Sequence, residues 1–199
     1  MVFSSCVGVS ASAIVSADGS VALKVSFAVS PSVESLLAAD PEAFGLFIPL
    51  NESLARERAT AVSEAIPSGT RFASSRVSAF RPTKDYGRTR IEAEFAFASL
   101  EAMRLYFDRT SAVIAVSRGA RSSITITVSR GGASTRSEFA NLFTLTDPDL
   151  RIELLVRVPG RVLDSTPAKP TTRVDEVRFS IDVTSLLSSG APLVWNVVW

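Results

Sequence analysis

Few side chains in this sequence could do covalent or acid–base chemistry, and their types narrow what that chemistry is. The chain contains no histidine, so it lacks the side chain most often used as a general base or metal ligand near neutral pH. Its single cysteine, Cys6, excludes an internal disulfide and a thiolate cluster for zinc. Carboxylates occur as close pairs, Glu92/Glu94 and Asp147/Asp149. The first pair alternates outward on a strand pattern and the second flanks Pro148 in a turn. Neither has a companion base or nucleophile. Serines are abundant, yet no Gly-x-Ser-x-Gly, Ser-x-x-Lys or Walker phosphate loop occurs. No catalytic residue, metal site or cofactor is therefore assigned, and the chain is expected not to be an enzyme.

Three other constellations could bind. Gly131-Gly132 precedes a helical pattern, where backbone N–H groups could meet an anion, although a plain loop explains the pair. Arg118, Arg121, Arg130 and Arg136 could contact phosphates, or form a solvated hairpin face. The segment Phe44-Gly45-Leu46-Phe47-Ile48-Pro49-Leu50 is apolar and broken by Gly and Pro. It reads as core cover or as the lip of a pocket, with Phe44, Leu46, Phe47 and Ile48 touching a ligand in the second case. Trp195 and Trp199 share a face of the last strand, where they close the core or face a partner or membrane interface.

The elements that must position these groups follow from periodicity. Val7, Val9, Ala11, Ala13 and Val15 alternate with Gly8, Ser10, Ser12 and Ile14. Asp18-Gly19 is a hairpin-turn dipeptide, and Val21, Leu23, Val25, Phe27 and Val29 alternate beyond it. Helical patterns are expected from Ser30 to about Ala39, from Asn51 to about Ala65, from Ser99 to about Arg109, and around 134–143. A second hairpin is predicted over 72–97, turning near Asp85-Tyr86-Gly87. Strands follow at 112–116, 124–128, 152–158, 177–183 and 193–199. The proline-bearing stretch 164–172 reads as an exposed loop. Hairpins separated by helices predict an α+β fold: antiparallel sheet built from hairpins, with three to four helices packed on one face.

Composition agrees with a globular class. The chain has 199 residues, 46% hydrophobic and 21% charged, with a net charge of +1. That balance gives no electrostatic case for a nucleic-acid partner. Mean hydropathy is +0.26. No apolar run approaches the roughly 18 residues that span a bilayer. Residues 1–5 are expected to be a remnant of a signal and lipobox, with 6–199 forming one α+β domain.

Phe3-Ser4-Ser5-Cys6 resembles the relaxed lipobox of spirochaetal lipoproteins. Small residues precede a thiol that can take a diacylglyceryl thioether; the other reading buries Cys6 in the first strand. Together with Asp18-Gly19-Ser20 in the early hairpin and Val158-Pro159-Gly160 after a late strand, it is similar to bacterial lipoproteins containing an LppM-like domain. That resemblance implies an envelope location, a lipid anchor at Cys6 and binding of lipid or glycolipid. It implies no catalytic residues. Two functions follow as expectations: a non-catalytic envelope lipoprotein that binds an apolar or amphipathic ligand, or a structural lipoprotein that docks an envelope protein partner.

Overall fold

The computed structural model describes residues 9–29, 31, 52–65, 75–85, 88–107, 112–117, 119, 121–128, 151–167, 173–182 and 192–199. The first hairpin joins β1 (Val9–Val15) to β2 (Val21–Val29). Gly19 takes φ 86° at the turn, a conformation glycine adopts without a Cβ clash. The Asp18 carboxylate fixes the turn by accepting from the Ser20 N–H at 2.9 Å and the Ser20 hydroxyl at 2.7 Å.

A second hairpin, β3 (Ser75–Asp85) and β4 (Arg88–Phe97), extends this sheet through antiparallel pairing of β4 with β2. A bulge in β3 between Val77 and Ala79 shifts the register. It places Val77 opposite buried Phe95 and Ala79 opposite Glu94. On the far side of β1 lies β7 (Arg151–Arg157), parallel to it, followed by β9 (Glu176–Asp182), antiparallel to β7. The six-stranded order is β3-β4-β2-β1-β7-β9.

A second, four-stranded sheet has the order β5-β6-β10-β8. It comprises β5 (Ala112–Ser117), β6 (Ser123–Val128), β8 (Asp164–Thr166) and β10 (Leu193–Val198). Two helices complete the described fold: α1 (Glu52–Ala65) and α2 (Leu100–Phe107). Ser99 caps α2, its hydroxyl accepting from the Ala102 N–H at 3.0 Å. Ala55, Ala59 and Val62 of α1 are buried, and α1 packs against β3 and α2.

This architecture corrects the expected fold class. The described residues are mostly β, forming two sheets with two helices, rather than three to four helices on one sheet face. The physical reason is that alternation marks a strand with one buried face but not what buries it. Here Ile114, Ile124, Ile126, Trp195 and Val197 of the smaller sheet are buried in the same cluster as Leu23, Val25, Leu154, Val156 and Phe179 of the larger one. Phe179 and Trp195 stack across the interface at 5.5 Å between ring centres. The helical patterns at 30–39 and 134–143 lie outside the described residues, apart from Pro31. The stretch read as a loop from 164 also differs: Asp164–Thr166 pair with β10 before the cis Thr166–Pro167 bond.

Candidate functional site

Two concavities flank the β1/β7 pair, one on each face of the larger sheet. The first is the seam between the sheets. Ala11, Ala13, Leu23 and Val25 come from the six-stranded sheet, Ile114, Ile126 and Trp195 from the four-stranded sheet, and Met103 and Phe107 from α2. The seam holds a void of about 40 Å³. Its lining is apolar because strand alternation sends every second residue of each strand to this side. Ala11 and Ala13 leave the space; a larger residue at either position would fill it.

The second lies on the opposite face, which the charged residues of the larger sheet share. Cross-strand ion pairs join β2 to β4 through Lys24–Glu94 at 3.4 Å, and β7 to β9 through Arg151–Asp182 at 3.0 Å and Arg157–Glu176 at 2.8 Å. The outward side chains of β1 are uncharged: Ser10, Ser12 and Ile14. The result is a depression of about 200 Å³ above β1, lined by Ser10, Ser12, Ser26, Lys24, Glu153, Leu155 and Arg178.

Two further groups stand out by electrostatics. Tyr106 on α2 is buried among Phe95, Phe97 and Phe107, with ring centres 5.2–5.4 Å away. Its hydroxyl has no hydrogen-bond partner among the described residues. Desolvation pushes its phenol well above the usual tyrosine value, and the nearby Arg58 charge opposes this shift. At the start of β9, hydrogen bonds from Arg173 hold the Asp175 carboxyl below the usual carboxylate range. That ion pair lies within the 173–176 turn, which is fastened to the end of β7 by the Arg157–Glu176 bridge and by the Val158 N–H donating to the Asp175 carbonyl at 2.9 Å.

Of the residues singled out in the sequence, Trp195 is buried in the core and Trp199 is half-buried. Glu92 and Glu94 face outward on β4, Glu94 paired with Lys24. Arg121 is exposed just before β6. Cys6, the Phe44, Leu46, Phe47 and Ile48 set, Gly131-Gly132, Asp147/Asp149, Arg118, Arg130 and Arg136 lie outside the described residues. Sequence reading missed the depression above β1. Alternation signalled that its side chains point outward, but nothing local signalled that β7 lies beside β1. It also missed Tyr106, whose only signal is a hydroxyl on the apolar face of a short helix. Among the described residues no group of three acidic, Cys or His side chains could hold a metal. No described helix is long and apolar enough to cross a membrane.

No family model and no curated protein matches the chain. The spirochaetal likeness of the lipobox therefore gains no support. Among solved structures, the chain is similar in fold to the folded domain of the Mycobacterium tuberculosis LppM protein, determined by NMR. The TM-score is 0.53 at 13% identity, over 98% of this chain and 89% of that one.

Proposed function

We propose that this chain is the folded part of an envelope lipoprotein, anchored through Cys6, that binds the apolar portion of an amphipathic ligand without catalysing a reaction. The observation that carries this reading is the incompletely filled seam. An apolar cleft between two sheets and a helix is the environment an acyl chain would share with the core. The likeness in fold to LppM supports the lipoprotein part of the reading.

The void sets the terms of binding. Pockets for drug-sized ligands measure roughly 300–1,000 Å³, against about 40 Å³ here. A chain longer than a methylene or two enters only by separating the sheets, so binding is coupled to movement of the smaller sheet against the larger. In the second reading, a structural lipoprotein that docks an envelope protein, the seam is ordinary core.

Native mass spectrometry and lipid extraction of protein purified from its own envelope test both parts. Expected are a diacylglyceryl mass on Cys6 and a co-purifying lipid that Ala11→Leu excludes. An unmodified Cys6 would overturn the anchor. Absence of any lipid from both proteins would overturn the ligand and leave the docking reading.

A further inference from the structure

We propose that the depression above β1 binds one anionic sugar unit, a ring bearing hydroxyls and a carboxylate or phosphate. It lies on the opposite face of the sheet from the seam, so it stands or falls independently of the apolar ligand. Its chemistry follows from cross-strand registry. Lys24, Ser12, Leu155 and Arg178 form one row across β2, β1, β7 and β9. The two cations are thus three strand spacings apart, about 14 Å between backbones, and their long side chains flank the low ground between them. Ser26, Ser10 and Glu153 form the adjoining row.

Each wall offers a distinct interaction. Arg178 has no ion-pair partner among the described residues, whereas Lys24, Arg151 and Arg157 each have a carboxylate. Glu153 likewise has no basic partner. A free guanidinium can take an anion bidentately, while a free carboxylate accepts from hydroxyl donors. Serine hydroxyls both donate and accept, as sugar hydroxyls do, and half-buried Leu155 offers an apolar surface to the C–H face of a ring. A bare anion would leave Glu153 facing like charge, and a neutral sugar would leave Arg178 unused. An acidic sugar uses both. The volume of about 200 Å³ suits one small unit.

The test is an NMR titration of the isotope-labelled chain with glucuronate, alongside glucose and acetate. Glucuronate is expected to shift the amides of Ser10, Ser12, Ser26 and Arg178 with millimolar affinity. Glucose and acetate should each bind about fivefold more weakly, the scale of an exposed charge contact. Arg178→Gln should weaken glucuronate by a similar factor, and Ser12→Leu, which fills the floor from the solvent side, should abolish binding with the rest of the spectrum unchanged. A disaccharide of linked uronates separates a polymeric source, bound more tightly than the monomer, from a free one, bound equally. Any of three results would overturn the proposal: no shifts at these amides by about 50 mM glucuronate, equal response to acetate, or an unaltered titration in Arg178→Gln.

Discussion

Replacing Tyr106 with Phe should stabilise this protein, although it deletes a polar group from a residue packed at the centre of the molecule. The phenol ring contacts Phe95, Phe97 and Phe107 at 5.2–5.4 Å, and Phe keeps all three contacts. What is removed is a buried hydroxyl with no hydrogen-bond partner among the described residues. Burial of an unsatisfied hydroxyl costs about 1–3 kcal/mol; allowing for the small space the oxygen leaves, a net gain of about 1 kcal/mol is expected. For a chain of this length that raises the melting temperature by roughly 2–4 °C. Urea denaturation with an unchanged slope and a higher midpoint is the assay. The alkaline limb provides an internal control. Burial holds the folded-state phenol above its usual value, whereas an unfolded tyrosine ionises near pH 10. A raised acid pKa in the folded state means the unfolded chain loses its proton first. The wild type is therefore fully stabilised below about pH 10 and loses stability above it, by up to about 1.4 kcal/mol per pH unit. Tyr106→Phe lacks that loss, so its advantage should widen above pH 10. A variant less stable by 1 kcal/mol or more at pH 7 would refute the reasoning, since it would require a partner for the hydroxyl.

Three other substitutions probe the scaffold. Gly19→Ala should cost about 1 kcal/mol in urea denaturation, because its φ of 86° is unfavourable for a residue with a Cβ; Gly19→Asn should recover part of it. Glu176→Gln should cost about 1–2 kcal/mol, since buried Glu176 accepts from Arg157 at 2.8 Å and a hydrogen bond to a charged group exceeds a neutral one; calorimetry checks this. Trp195→Ala should lose about 3–5 kcal/mol together with the near-ultraviolet circular dichroism of the Phe179 stack, and unaltered dichroism would remove that ring pair from the core.

The β1–β2 hairpin was legible because two signals agree: strict alternation and a turn dipeptide whose glycine takes the required φ. The α2 helix was legible because an apolar helical pattern follows Ser99; that the Ser99 hydroxyl accepts from the Ala102 N–H appears only in the structure. The β8 strand was not, because a three-residue strand before proline has the composition of a loop. The greater error concerned layers. Ile124, Ile126, Trp195 and Val197 plainly form a buried face, yet periodicity is the same whether a helix or a second sheet supplies the cover. The same gap hid the candidate site. Ser12, Leu155 and Arg178 are distant in sequence and meet only through the parallel pairing of β1 with β7 and the antiparallel pairing of β7 with β9.

That pairing also imposes an order on biosynthesis. Strands β3, β4, β2 and β1 emerge early and can assemble from their own hairpins. The outer edge of β1 then waits, with open backbone donors and acceptors, until residues 151–157 are made. Contacts so remote in sequence slow closure, and an unpaired apolar edge invites pairing with other chains in the interval. A nascent chain halted before β7 is thus a template for aggregation, and a cell producing this protein gains most from chaperones that shield β1 until residues 151–157 arrive.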